Sequence, residues 1–300
     1  MVFQAYIDDS YTPDGAFVLA GYVASAAAWA QFSKAWEELL PTLPRSARGK
    51  SGKPRFKMAE MQRFLDRIPP FYKVIEDHAL LSVSCKLDMA ALERAKQHIW
   101  SDNTTLVWGP PSDPFWVAFS MLVTKFHEIR YEYQSIVDRI PLDKKVDFYF
   151  DEHSGGATQM AMDWEDGYVN RAAPGIRALY GAMPRFESDE CFMPLQAADF
   201  WAWWVREGYE NGTLSQYLSG DFGHWRGKAI TAINMEIQED QLAENLISKI
   251  KTDMPIGLLA NIYDDRVYPR TPIREIPSIS RKSRSALLNG LRRVLKPRRD

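Results

Sequence analysis

Val2-Phe3-Gln4-Ala5-Tyr6-Ile7-Asp8-Asp9-Ser10-Tyr11-Thr12-Pro13-Asp14-Gly15-Ala16-Phe17-Val18-Leu19-Ala20-Gly21-Tyr22-Val23 is the stretch that decides the fold. The apolar run Val2–Asp9 closes in Asp-Asp-Ser, Thr12-Pro13-Asp14-Gly15 is a strong turn signal, and the apolar run Ala16–Val23 follows, so the stretch reads as a β-hairpin. Next, Ser25 caps a predicted helix whose Trp29, Phe32, Trp36, Leu39 and Leu40 share one face, ended by Pro41 and Pro44. Leu81, Val83, Cys85 and Leu87 alternate with Ser82, Ser84 and Lys86, which predicts a half-buried strand; Asp88 then caps a helix through His98. A helical pattern runs from Pro114 to about Val137, and Val146, Phe148 and Phe150 alternate with Asp147, Tyr149 and Asp151 in another strand. A helix to about Asn170, a strand over Met183–Glu187 and a helix from Pro194 complete the pattern. Strands mixed with helices and led by a hairpin predict an α/β or α+β domain with a mixed β-sheet.

The chain has 300 residues, 46% hydrophobic and 25% charged, which excludes a disordered, fibrous or disulfide-stapled protein. Its 37 Lys+Arg against 39 Asp+Glu give a net charge of -2, but the charge is unevenly placed. Residues 266–300 hold 11 bases and two acids, a basic tail at +9 behind a body, residues 1–265, at -11. We read residues 1–265 as one domain with helical insertions. In the tail, Leu287, Leu288, Leu291, Val294 and Leu295 would share the apolar face of a short amphipathic helix beside Arg292 and Arg293; a disordered tail is the other reading. Two cysteines are too few for a disulfide framework, there is no basic leader or apolar run of ~20 residues, and the expected location is cytoplasmic. The ten Trp read mostly as core residues, including Trp201, Trp203 and Trp204, for which base stacking is the other reading.

Acids occupy three telling places. Asp8 and Asp9 end the first strand, Asp151 and Glu152 end a later one, and Asp199 lies in an otherwise strongly apolar helix with Gln196 one turn earlier. Asp at a strand end also suits the following turn. Asp199 has no such explanation, because a carboxylate among Leu195, Ala198, Phe200 and Trp203 needs a partner charge, hydrogen bonds or a metal. If the two strand ends are neighbours and the helix packs across them, three carboxylates converge, and converging acids repel unless a cation lies between them. A hard cation, Mg²⁺ or Mn²⁺, fits; zinc does not, since no two of the five His have ligand spacing. Acids holding two such ions are a standard device for phosphodiester hydrolysis.

Tyr6-Ile7-Asp8-Asp9-Ser10, Phe148-Tyr149-Phe150-Asp151-Glu152 and Leu195-Gln196-Ala197-Ala198-Asp199-Phe200 resemble, in order, three signatures of the domain-of-unknown-function family 3800, which is similar to the ribonuclease H-like fold. The third match is complete. The first departs from Asp-Glu-Ser-Gly, with Asp9 for Glu and Tyr11 for Gly, and Phe56-Lys57-Met58-Ala59-Glu60 resembles a further element in which Lys57 replaces the usual His. The resemblance implies a ribonuclease H-like mixed β-sheet flanked by helices, with Asp8, Asp151 and Asp199 as metal ligands and catalytic residues and Glu60 as a fourth acid. It also implies a nuclease-type site, in a family discussed alongside mobile elements and phage defence.

Around those acids, Asp9, Glu152, His153 and Gln196 are supporting candidates. His153 either moves a proton near the metals or simply caps the following helix. Arg45–Lys57 holds six bases and no acid, which predicts a solvated, mobile loop; its Lys53, Arg55 and Lys57, with Arg292 and Arg293 of the tail, are the candidate contacts to nucleic-acid phosphates. The tail can equally meet a protein partner. Two functions follow: a metal-dependent nuclease, or a non-catalytic adaptor of the same fold that binds nucleic acid or a protein.

Overall fold

A computed structural model describes residues 2–101, 106, 113–152, 164–253 and 262–270. The opening stretch forms the expected hairpin, β1 (Phe3–Tyr11) against β2 (Ala16–Ser25), antiparallel. β3 (Leu81–Asp88) adds antiparallel to β2, and β7 (Ala232–Ile237) runs parallel to β3. On the other side of β1, β5 (Val146–Asp151) and β6 (Arg185–Glu187) are parallel to it and to each other. The order is β6-β5-β1-β2-β3-β7, with β2 alone reversed; β4 (Ile99–Ser101) and β8 (Ile262–Asp264) form a separate pair.

Helices cover both faces, giving the mixed α/β sheet flanked by helices that the sequence predicted. Phe3, Ala5 and Ile7 of β1 point into one core, packed with the helices Met89–His98, Pro114–Glu132 and Glu239–Asp253. Tyr6 points into the other, with Trp29, Phe32 and Trp36 of the helix Ala26–Leu39 and Leu195, Phe200 and Trp201 of the helix Met193–Asn211. The two-residue period of a strand thus assigns Asp8 to the Tyr6 face, beneath the Met193–Asn211 helix.

Local signals behave as expected. The Ser25 side chain accepts from the Ala28 N–H and Asp88 from the Ala91 N–H, each closing a helix start. Gly212, at φ 67, ends the Met193–Asn211 helix in the left-handed conformation that glycine tolerates best. Trp29, Trp36, Trp164, Trp201 and Trp204 are buried, so packing describes these rings. The chain departs from expectation at four points. β3 is buried on both faces, Ser82 and Ser84 included, because β2 and β7 flank it and helices lie above and below. Pro184, which lacks an N–H for the ladder, shortens the Met183–Glu187 strand to Arg185–Glu187. The helix from Pro114 stops at Glu132, and a separate turn covers Gln134–Val137. β7 and the helix Glu239–Asp253 lay outside the sequence reading altogether. No helix among the described residues is long and apolar enough to cross a membrane.

Candidate functional site

Ile7 pairs with Phe150 in the parallel β1/β5 ladder, so Asp8 and Asp151 are the next residues on adjacent strands at the same end of the sheet. Asp151 in turn pairs with Glu187, which puts Asp189 two residues beyond the end of β6 at that same end. These are carboxyl ends of parallel strands, and the chain's connections diverge on either side of β1; such switch points are where open α/β sheets bind ligands. Asp8 lies inside the ladder, opposite Ala20, and is 3% exposed, which dismisses the turn explanation for it. Asp199 hangs over this point from the Met193–Asn211 helix.

The four carboxylates surround one ammonium. Lys57 Nζ is 2.9 Å from Asp199 Oδ1, 3.1 Å from Asp8 Oδ2, 3.8 Å from Asp189 Oδ2 and 3.9 Å from Asp151 Oδ2. The sequence therefore identified Asp8, Asp151 and Asp199 as acids that meet, and the structure brings them together. Asp189 was missed. The signal that finds it is the strand-end rule already applied to Asp8 and Asp151, extended to Glu187-Ser188-Asp189 after β6.

Backbone contacts hold the arrangement. Met58 N–H donates to Asp199 Oδ2 at 2.6 Å, and Asp9 N–H donates to Asp8 Oδ1 at 2.7 Å. Gln196, fully buried, accepts from Phe56 N–H and Trp36 Nε1, each at 3.0 Å, and donates to the Asp189 carbonyl at 2.8 Å. It is a positioning residue that joins the helix, the Lys57 segment and the Asp189 turn. Gln196→Leu leaves these three buried groups without partners and is expected to cost about 3 kcal/mol; urea unfolding measures the cost, and faster exchange of the Phe56 amide locates it.

The supporting candidates are scattered. Glu60 pairs with Arg55 at 3.6 Å, and Arg55 also reaches Asp189 at 3.4 Å, so Glu60 is one ion pair removed from the cluster. Glu152 is exposed, and His153 lies outside the described residues, as do Arg292 and Arg293. Ser10 Oγ accepts from Arg206, and the exposed Tyr11 stacks on Phe17. The solvated-loop expectation is corrected for part of Arg45–Lys57. Ala47 and Phe56 are fully buried, and Lys50 N–H and Ser51 N–H bind the Glu190 carboxylate. Arg55 and Lys57 are engaged by the chain's own acids, while Arg45, Arg48, Lys50 and Lys53 remain exposed.

Electrostatics follow from the crowding. Burial holds the Asp8 carboxyl well above the usual range; Lys57 opposes this, and Asp151, Asp199 and Asp9 reinforce it. Burial likewise pushes Asp151 up to about 6 against the pull of Lys57. For Lys57 burial disfavours the charge, but Asp8 and Asp199 outweigh it and keep the ammonium protonated well above the ordinary lysine range.

No family model matches the chain, and no curated protein matches it. Among solved structures, the chain is similar to the crystal structure of Bst-RNase HIII in complex with Mn²⁺, at 10% identity and a TM-score of 0.37, over 73% of this chain. The match covers 56% of that chain's length.

Proposed function

We propose that this chain is a divalent-metal-dependent nuclease, a hydrolase of nucleic-acid phosphodiesters. One observation carries the reading: four carboxylates from three adjacent strand ends and one helix face a single point within 3.9 Å. The donors suit a hard ion such as Mg²⁺ or Mn²⁺. Among the described residues Asp189 Oδ2 is buried without a hydrogen-bond partner, and the Lys57 ammonium and the Arg55 guanidinium facing four carboxylates leave acids in excess. With the Lys57 ammonium in place the acids form an ammonium cage, and among the described residues no three His, Cys, Asp or Glu are then placed to hold a metal, so ligation by these acids requires the ammonium to leave the point.

Asp8, Asp151 and Asp199 would hold the ion, with Asp189 beside them. When bound, such an ion supplies activation of the attacking water and neutralisation of charge developing at phosphorus. The chain's own contribution is to fix the carboxylates on rigid elements: Asp8 in the ladder, Asp199 through the Met58 amide. Arg45, Arg48, Lys50 and Lys53, on the loop that leads into Lys57, offer exposed charge for the phosphates of a strand.

The adaptor reading is favoured by Lys57 itself, since a chain that neutralises its own acids can keep this fold without an ion. Incubation of the full chain with Mg²⁺ or Mn²⁺ and single-stranded, duplex and hybrid substrates separates the two readings. Cleavage abolished by a chelator is the expected result. No cleavage of any substrate, together with no ion binding by calorimetry, overturns the nuclease reading and leaves the adaptor.

A further inference from the structure

Lys57 occupies the place where a bound cation would neutralise the acids. An ammonium has three protons, and only Asp199 and Asp8, at 2.9 and 3.1 Å, are close enough to accept them; Asp189 and Asp151, at 3.8 and 3.9 Å, feel the charge without a hydrogen bond. Asp189 meets Arg55 through Oδ1, but its buried Oδ2 faces the ammonium and has no hydrogen-bond partner among the described residues. The ammonium is thus a partial occupant of a site built for more charge.

The backbone on either side of Lys57 is pinned. Phe56 N–H is bound to Gln196 and Met58 N–H to Asp199, both on the same helix, so the main chain stays where it is. The side chain is held only at its tip, by the carboxylates of Asp8 and Asp199. It is 25% exposed, which gives the flexible four-carbon stem a path to solvent without disturbing those bonds.

We propose that Lys57 is a resident counter-ion that competes with the divalent ion: it fills the carboxylate cluster of the ion-free protein and swings outward when the ion enters. The two cannot share the point, because both need Asp8 and Asp199 and an ammonium repels a divalent cation at contact distance. Lys57 thereby keeps the ion-free cluster folded, at the expense of ion affinity. The inference deepens the metal-site reading above and rests on it.

Two measurements on the full chain test it, with Mn²⁺ alone as the probe. In calorimetry, Lys57→Met is expected to bind Mn²⁺ about tenfold more tightly than the unaltered chain, the equivalent of one ion pair no longer displaced. In the unaltered chain, saturation with Mn²⁺ is expected to raise acetylation of Lys57 by an amine-reactive reagent several-fold, read by peptide mass spectrometry, while the exposed Lys34 is unchanged. The second measurement decides even if Lys57→Met fails to fold. If Mn²⁺ binds, and Asp199→Asn abolishes that binding, yet Lys57 stays equally protected or Lys57→Met gains no affinity, the counter-ion proposal falls and the metal site stands. If neither form binds Mn²⁺, both fall.

Discussion

Asp199→Asn and Asp8→Asn should each lower metal-dependent cleavage by roughly three orders of magnitude, the equivalent of losing several kcal/mol of ion-borne stabilisation at phosphorus. Asn keeps the shape of Asp and one acceptor oxygen. At position 199 that oxygen can still receive the Met58 N–H, so the segment around Lys57 keeps its anchor. What disappears is the negative charge beside Lys57 Nζ, now 2.9 Å away. Removing one of four crowded carboxylates also relieves repulsion, so the fold should change in stability by no more than about 1 kcal/mol. Asp199→Ala behaves differently: it strands the buried Met58 N–H and should cost a further 1–3 kcal/mol or so. Cleavage rates with thermal melts of the same preparations check both halves. Full activity in Asp199→Asn would remove Asp199 from the site.

His127 should make the protein acid-sensitive. It lies on the helix Pro114–Glu132, fully buried against Phe126, Phe148 and Tyr180, and among the described residues neither ring nitrogen has a hydrogen-bond partner. Burial, with a smaller contribution from the Arg130 charge, lowers its pKa to about 3. The unfolded chain takes up a proton on this ring near pH 6.5, whereas the folded chain does not until about pH 3. Between those values the unfolded state binds more protons, so stability falls as pH falls, by about 1.4 kcal/mol per pH unit, and the loss levels off below the folded pKa. His127→Leu removes the titrating ring and the unpartnered nitrogens. Urea unfolding at pH 7, 6 and 5 should show this variant with the shallower dependence, about 2 kcal/mol less lost by pH 5. Parallel slopes would mean that the ring is hydrated or protonated in the folded state. Arg130, one turn on, is fully buried too, but it binds the carbonyls of Ile140, Pro141 and Lys144 and so closes the loop before β5.

Asp199 is legible in the sequence, and the part played by Lys57 is not. A lone acid among Leu, Phe and Trp residues is an anomaly visible in one dimension, because no apolar helix face tolerates it unpaired. The identity of its partner is not visible. Lys57 ends a run of six bases that, by composition, belongs in water. Phe56 beside it is drawn into the core against Trp36 and Phe71, and that burial carries the lysine inward. Two aromatic contacts thus convert a surface charge into an internal counter-ion. Asp189 was hidden for a related reason: the strand before it is legible as Met183–Glu187, but only the pairing of that strand with β5 gives Asp189 a place beside Asp151.

Periodicity and turn chemistry in the sequence by themselves determined the hairpin, the helix caps, the class of mixed sheet and the acids Asp8, Asp151 and Asp199, because each depends on residues within a few positions of one another. Tertiary structure alone decided that β5 lies parallel to β1 in a register that levels Asp8 with Asp151, that Asp189 joins them, and that Lys57 fills the space between. Register across a parallel ladder and the inward path of a loop are set by contacts between residues scores of positions apart. Local pattern carries no record of them, since the energy that fixes them is the burial of both sheet faces at once.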